Sequence, residues 1–140
     1  MQNFSNLIRT HARAVIFGVP GAFTPICSLS HLPGFIDCAE ELKKKGVEAI
    51  YCIGVNDKFV MKAWAEATVG ATDSGIQFVA DGSGQLTKAL GLQLDFSSLG
   101  FGVRSKRYAA IVEYGTVVHL LVDEKGNLQL STAENLLDLL

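Results

Sequence analysis

The chain has 140 residues, of which 49% are hydrophobic, and this predicts a single domain over residues 1–140 with one core. Its net charge of −2 and the absence of a Lys/Arg stripe exclude a nucleic-acid surface, because phosphate contacts need clustered basic side chains. No apolar stretch approaches the ~20 residues that span a bilayer, so no membrane partner is expected.

The predicted elements follow the order β-α-β-α-β-(α)-β-β-α after a short leading helix. Short apolar runs are typical of strands that are buried on both faces. Strands are predicted at Ala14–Val19, Val47–Val55, Ile76–Ala80, Arg107–Glu113 and Thr116–Val122. Helices are predicted at Asn3–Arg9, Thr24–Lys45, Lys58–Thr68, Gln85–Leu90 and Thr132–Leu140.

Cap and turn residues mark the boundaries of these elements. Asp57 is a good N-cap, Gly91 ends a helix, and Tyr114-Gly115 joins the last two strands in a hairpin. A turn is predicted at Asp123–Asn127, and Ser131–Glu134 has the pattern of a capping box. A parallel start followed by an antiparallel hairpin predicts an α/β fold with a mixed central sheet flanked by helices.

The segment around Cys27 carries the chemistry. All three prolines, Pro20, Pro25 and Pro33, surround Cys27 and hold the backbone in a defined shape. Thr24 suits the N-cap and Pro25 the first helical position, so Cys27 becomes the third helical residue. The exposed N–H groups of a first turn favour an anion, which for this side chain is a thiolate. A small buried hydrophobe is the alternative for a free cysteine.

This stretch resembles the active site of peroxiredoxins, and within them the peroxiredoxin-5, or type II, group. The pattern P-x-x-x-T-x-x-C is met by Pro20, Thr24 and Cys27, and the similarity runs on through residues 46–57, Trp64, Asp81 and residues 102–109. The resemblance implies a thioredoxin-like fold. Family members carry a β-hairpin before the strand that matches Ala14–Val19, so the expected fold lacks that N-terminal hairpin.

The resemblance assigns a role to each matching residue. Cys27 is the peroxidatic cysteine, whose thiolate attacks the peroxide and becomes a sulfenic acid. Thr24 bonds the thiolate and the peroxide, Pro20 shields the sulfur from water, and Arg107 orients the substrate. No metal or other cofactor is implied, because the sulfur itself accepts the oxygen. Without the resemblance, Thr24 is only a helix cap and Pro20 only a loop brace.

Other residues leave alternatives open. Arg104 and Lys106 compete with Arg107, although strand alternation makes Arg107 and Lys106 face opposite sides. His31 lies one turn after Cys27; in the family it supports the pocket, whereas a Cys–His pair for acyl transfer is the alternative. Phe101 either lines the mouth of the pocket or packs in the core.

The remaining cysteines do not provide an internal disulfide partner. Cys52 lies in an apolar strand, and Cys38 lies ~16 Å from Cys27 along an intact helix, whereas a disulfide needs Cα atoms within about 7 Å. An external thiol is therefore the expected reductant: glutathione with glutaredoxin, or thioredoxin. An odd cysteine count without a C-x-x-C pair predicts an intracellular protein, cytoplasmic or organellar.

The sequence thus predicts a thiol-dependent peroxidase that reduces hydrogen peroxide and alkyl hydroperoxides. The resemblance to the type II group further implies a homodimer through the matching residues 20–24 and 99–103. A thioredoxin-type disulfide oxidoreductase is disfavoured, because Thr24 occupies the place of its first cysteine. An inactive thioredoxin-fold interaction or chaperone module remains the non-enzymatic alternative.

Overall fold

A five-stranded mixed sheet organises the computed structural model, which describes residues 4–125 and 127–140. Its strand order is β3-β2-β1-β6-β7, with β1, β2 and β3 parallel and β6 and β7 antiparallel to their neighbours. These strands are β1 (Ala14–Val19), β2 (Ala49–Gly54), β3 (Gln77–Ala80), β6 (Arg107–Glu113) and β7 (Thr116–Asp123). A separate antiparallel ribbon pairs β4 (Gln93–Asp95) with β5 (Val103–Ser105).

Five α-helices cover the two faces of this sheet in the described part of the chain. They are α1 (Phe4–Ile8), α2 (Leu32–Lys44), α3 (Lys58–Ala67), α4 (Gln85–Ala89) and α5 (Ala133–Leu137). Side chains of α2, α3 and α5 share one core with one face of the sheet, and those of α1 and α4 pack on the other face. The predicted α/β architecture, a mixed central sheet flanked by helices, is confirmed.

Burial on both faces explains why the sequence of the central strand β1 is apolar at every position. All six residues are buried, because Val15, Phe17 and Val19 face one core while Ala14 and Ile16 face the other. Gly18 makes room for the ring of Tyr108 on β6, since a Cβ at position 18 would clash with Cε1 of that ring. Gly18 thus permits a close approach of the two strands, which pair at Gly18 and Tyr108, the residue directly after Arg107.

The helical run after β1 is irregular where it carries Cys27. It starts at Pro25 and continues through a π-helical turn, Cys27–His31, before α2 begins. The N–H of Leu32 donates to the carbonyl of Cys27, five residues back, which is the hydrogen bond of a π turn. Pro33 follows directly and has no N–H to continue the ladder of bonds, so the irregularity precedes the proline.

Several predicted boundaries need correction. The capping box at Ser131 is wrong: Thr132 is the N-cap of α5 and accepts from the N–H of Asn135, while the hydroxyl of Ser131 donates to Asp123. The ribbon β4–β5 was not predicted, because three residues are too few to show the alternation of apolar and polar side chains that marks a strand. By contrast, Asp57 caps α3 as predicted, accepting from the N–H groups of Phe59 and Val60. Asn3 and Gly126, which fall in the first predicted helix and the last predicted turn, lie outside the described residues.

Candidate active site

The sulfur of Cys27 lies at the junction of the first helical run and the sheet. Cys27 is the third residue of that run, and its side chain is fully buried in the core shared with α2. Nη1 of Arg107, at the start of β6, donates to Sγ of Cys27 over 3.3 Å. Arg107 is itself only 2% exposed, so this contact between a cation and a thiol is shielded from water.

His31 contacts the same guanidinium nitrogen of Arg107 that contacts Cys27. Nε2 of His31 lies 2.9 Å from the carbonyl of Ser131, which only accepts, so Nε2 carries the ring proton. Nδ1 is then free to accept from Nη1 of Arg107 at 3.1 Å. Burial and, next, the charge of Arg107 lower the pKa of His31 to about 3, which keeps the ring neutral. A neutral ring that accepts from Arg107 is not a base for Cys27, and this disfavours the acyl-transfer alternative.

Thr24 sits in the loop between β1 and the helical run. Its hydroxyl donates to the carbonyl of Gly21 over 2.6 Å, and its carbonyl accepts from the N–H of Ser28. A hydroxyl has one proton, so while this bond persists Thr24 offers lone pairs and no donor to Cys27. In the structure the Thr24 hydroxyl therefore donates to Gly21, whereas the expected acceptor was the sulfur of Cys27. Asn56 anchors the same loop by accepting from the N–H of Ala22 at 3.0 Å.

A cavity of about 240 Å³ lies against Arg107, the residue that contacts the sulfur, although Cys27 itself does not line it. Its lining includes three predicted site residues, Pro20, Thr24 and Arg107, and also Phe101, which is 47% exposed. Phe101 thus lines the cavity and does not belong to either core. The cavity is completed by Pro25, Ile26, Phe96, Leu99, Arg104 and Lys125.

The competing basic residues have other partners. Nε of Arg104 donates to the carbonyl of Phe101, and its guanidinium lies 5.8 Å from the centroid of that ring. Nζ of Lys106 pairs with the carboxylate of Glu124 at 2.6 Å. Of the three candidates, the cation that donates to the sulfur of Cys27 is Arg107.

Comparison with known proteins agrees with this geometry. The Redoxin family model matches residues 2–137. Peroxiredoxin-2D of Arabidopsis thaliana is 49% identical over 125 residues, covering 89% of this chain and 76% of that protein. The chain belongs to the peroxiredoxin family.

Solved structures of peroxiredoxins have the same fold. Reduced Prx3 from Vibrio vulnificus in complex with hydrogen peroxide is 44% identical, with a TM-score of 0.90 over 99% of this chain and 88% of that chain. Peroxiredoxin 5 from Alvinella pompejana is 34% identical, with a TM-score of 0.71 over 78% of this chain and 69% of that chain. The predicted thioredoxin-like fold and the predicted peroxiredoxin family are confirmed, and the chain is a thiol peroxidase.

The other two cysteines of this peroxiredoxin lie in apolar or acidic surroundings. Cys52, on β2, is fully buried, and desolvation, followed by the proximity of Cys27, raises its pKa well above the ordinary value. Cys38, on α2, has Sγ 4.0 Å from Oε1 of Glu134, and burial and then that carboxylate raise its pKa. None of the three cysteines forms a disulfide in the structure. The thiols of Cys38 and Cys52 therefore remain protonated and are poor nucleophiles.

Sequence reasoning missed three contributors to the site of this peroxiredoxin. Phe96 and Lys125 line the cavity from segments that were predicted only as connections. The carbonyl of Ser131 fixes the tautomer of His31, although Ser131 was predicted as a helix cap. A backbone carbonyl leaves no signal in a sequence, so this contact required the structure.

In the described part of the chain, no helix is long and apolar enough to cross a membrane.

Proposed function

We propose that this peroxiredoxin reduces hydrogen peroxide and alkyl hydroperoxides through a sulfenic acid on Cys27. The Cys27 thiolate attacks the terminal peroxide oxygen, an S–O bond forms, and the O–O bond breaks. The sulfur loses two electrons to the peroxide, and the leaving alkoxide or hydroxide takes up a proton to become an alcohol or water, respectively. The observation that carries this proposal is the 3.3 Å contact between Nη1 of Arg107 and Sγ of Cys27.

Each neighbouring side chain has a part in this reaction. Arg107 stabilises the thiolate and the charge that develops as the O–O bond breaks. Thr24, whose proton is committed to the carbonyl of Gly21, accepts the hydrogen of the incoming peroxide. Pro20 keeps bulk water from the sulfur, and His31 supports the guanidinium. Because Cys27 is fully buried, the peroxide enters past Pro20, Thr24 and Arg107 from the adjoining cavity.

The walls of the cavity support organic hydroperoxides as substrates beside hydrogen peroxide. Ile26, Phe96, Leu99 and Phe101 present apolar surface, while Arg107 lines the same cavity and also contacts the sulfur of Cys27. An alkyl group is stabilised on the apolar wall with its hydroperoxide directed toward Arg107.

Resolution by an external thiol follows from the properties of the other cysteines. Cys38 and Cys52 are buried thiols with raised pKa values, so neither attacks a sulfenic acid readily. An external thiol condenses with the sulfenic acid and releases water, leaving a mixed disulfide. A second thiol then attacks this disulfide, restores Cys27 and leaves with the first thiol as its disulfide. Glutathione with glutaredoxin, or thioredoxin, supplies these thiols, which fits an intracellular location.

Peroxide consumption by cysteine variants tests this proposal. With each reductant in turn, Cys27→Ser should show no turnover, whereas Cys38→Ser and Cys52→Ser should retain most of it. Circular dichroism of each variant serves as the control for folding. Loss of turnover in a folded Cys52→Ser protein would contradict the one-cysteine mechanism and require an internal disulfide. Full activity of Cys27→Ser would contradict the proposed function itself.

A further inference from the structure

The carboxylate of Asp123 organises the loop that follows β7. It accepts from the N–H groups of Gln129 at 3.2 Å, Leu130 at 2.9 Å and Ser131 at 3.0 Å, and from Oγ of Ser131 at 2.8 Å. Asp123 is 3% exposed and Ser131 is fully buried. Burial alone would raise the pKa of Asp123, but these bonds outweigh it and lower that pKa, so the side chain stays a carboxylate. One buried anion therefore fixes the backbone of residues 129–131.

This loop is connected to the active site through one backbone atom. The carbonyl of Ser131, in the peptide unit next to the N–H that Asp123 holds, accepts from Nε2 of His31. Nδ1 of His31 in turn accepts from Nη1 of Arg107, the nitrogen that donates to Sγ of Cys27. Asp123 and Arg107 are also paired directly opposite each other on β7 and β6. The contacts that run from Asp123 through Ser131 and His31 to Arg107 therefore begin and end on the same pair of strands.

We propose that Asp123 is a positioning residue for the peroxide reaction: by fixing the Ser131 carbonyl it sets the tautomer of His31 and thereby aims Arg107 at Cys27. If the carbonyl moves away, the ring proton is free to sit on Nδ1, where it would face an N–H of Arg107. Two donors cannot bond to each other, so the guanidinium would shift and lose its contact with the sulfur. This inference rests on the proposed function of Cys27.

A second buried aspartate provides a matched control. Asp81, directly after β3, is 8% exposed and accepts from the N–H groups of Leu86 and Thr87 and from Oγ1 of Thr87. The bonds resemble those of Asp123, but the segment that Asp81 holds begins α4, on the sheet face away from Cys27. Loss of either carboxylate removes a comparable set of bonds, and only one of the two sets leads to His31.

The decisive comparison is between Asp123→Asn and Asp81→Asn in the full chain. The rate of Cys27 oxidation by hydrogen peroxide is followed by stopped-flow fluorescence of Trp64, the single tryptophan, whose Nε1 donates to Oγ of Ser28 beside Cys27. Displacement of the guanidinium should slow Asp123→Asn roughly 10- to 100-fold, whereas Asp81→Asn should stay within about 3-fold of wild type. An unchanged rate in Asp123→Asn, or equal slowing in both variants, would overturn the proposal.

Two further readouts separate positioning from loss of stability. NMR of the ring nitrogens should show the Nε2–H form of His31 in wild type and a gain of the Nδ1–H form in Asp123→Asn. In a His31→Gln background, Asp123→Asn should slow the reaction by less than about 3-fold more, since the two residues act in series. Additive slowing in this double-mutant cycle, or an unshifted tautomer, would contradict the assignment.

If Asp123→Asn does not fold, Ser131→Ala replaces it, because this variant removes one bond to Asp123 and keeps the carbonyl. A tautomer shift with a slower reaction would support the proposal, and any other combination would overturn it. Failure of the proposed function is a separate result: Cys27→Ser would then still reduce peroxide, whatever the variants of Asp123 and Ser131 do.

Discussion

The guanidinium of Arg107 and the thiol of Cys27 meet at 3.3 Å although 80 positions separate them in the sequence. The antiparallel pairing of β6 with β1 makes this contact possible, because the start of β6 lies beside the end of β1. The loop from Pro20 to Thr24 then turns the chain so that the helical run begins at the same edge of the sheet. The contact is therefore a consequence of sheet topology, and the properties of the site depend on how firmly it is held.

Replacing Arg107 tests whether charge alone is sufficient. Arg107→Lys keeps a cation but loses the planar guanidinium, one nitrogen of which contacts both Cys27 and His31. The rate of peroxide reduction should fall about 10²- to 10³-fold, the usual cost of removing a donor from a preorganised site. Lys106→Gln is the control and should leave the rate unchanged, because Lys106 pairs with Glu124 outside the site. A wild-type rate in Arg107→Lys would show that the fixed geometry is not needed.

The neutral state of His31 predicts how stability changes with pH. The pKa of His31 is about 3 in the folded protein and about 6.5 when unfolded, so between these values only the unfolded chain binds the proton. Stability is therefore lost as the pH falls below about 6.5, by up to ~1.4 kcal/mol per pH unit from this group.

Denaturant titrations of wild type and His31→Gln between about pH 5 and 7 measure this contribution. The range lies above the ordinary carboxylate pKa values, so Asp123 does not interfere. The free energy of unfolding should fall more steeply toward low pH in wild type than in His31→Gln. Parallel curves for the two proteins would contradict a buried neutral imidazole.

The π turn predicts where the protein opens after oxidation. The connection between residues 25–31 and α2 is irregular: the Leu32–Cys27 bond is that of a π turn, and Pro33 has no N–H to donate. A sulfenic acid shielded by Pro20 and Arg107 is out of reach of an external thiol unless this segment opens locally. Oxidation of Cys27 should therefore raise hydrogen exchange in residues 25–31 well above that in residues 35–45, with the reduced protein as reference. Equal protection of both segments would mean that resolution takes place in the closed pocket.

Exposed apolar side chains on two loops predict a homodimer. Phe23, Leu99, Phe101 and Val103 are each about half exposed or more and belong to or adjoin the two loops predicted to dimerise. Phe23 has a φ of 64°, a conformation that Asp tolerates better than Phe, so Phe23→Asp removes apolar surface without added backbone strain.

Sedimentation at micromolar concentration provides the measurement of assembly. Wild type should sediment as a dimer and Phe23→Asp as a monomer. Val118→Asp, which changes an exposed apolar residue on β7, should remain a dimer. A monomeric wild-type protein would contradict this interface.

The elements that local patterns determine were predicted well. β1 coincides with its predicted range, and the Asp57 cap and the Tyr114-Gly115 hairpin turn are where residue type requires them. The predicted N-cap of the last helix, Ser131, is one residue before the observed one, Thr132. Both residue types are good caps, and only the buried carboxylate of Asp123, which binds the Ser131 hydroxyl, distinguishes them. The choice depends on a contact across the fold, which local sequence does not contain.

The residues of the candidate site also divide into those that local sequence predicts and those that depend on contacts across the fold. Cys27, Thr24 and Pro20 share one short segment, so their proximity followed from the sequence, whereas the partner of Arg107 depended on strand pairing. The direction of the Thr24 hydroxyl and the Ser131 carbonyl depends on backbone geometry, which no residue type specifies. These two details determine which groups donate and which accept around the sulfur.

Oxidation of single cysteines tests the central claim most directly. The reduced protein is treated with one equivalent of hydrogen peroxide together with a sulfenic-acid-trapping reagent, and each cysteine peptide is examined by mass spectrometry. A sulfenic acid adduct on Cys27 alone is predicted, with Cys38 and Cys52 unmodified, and added glutathione should replace the adduct with a mixed disulfide on Cys27. An adduct on Cys38 or Cys52, with Cys27 left as a free thiol, would contradict Cys27 as the residue that reduces the peroxide.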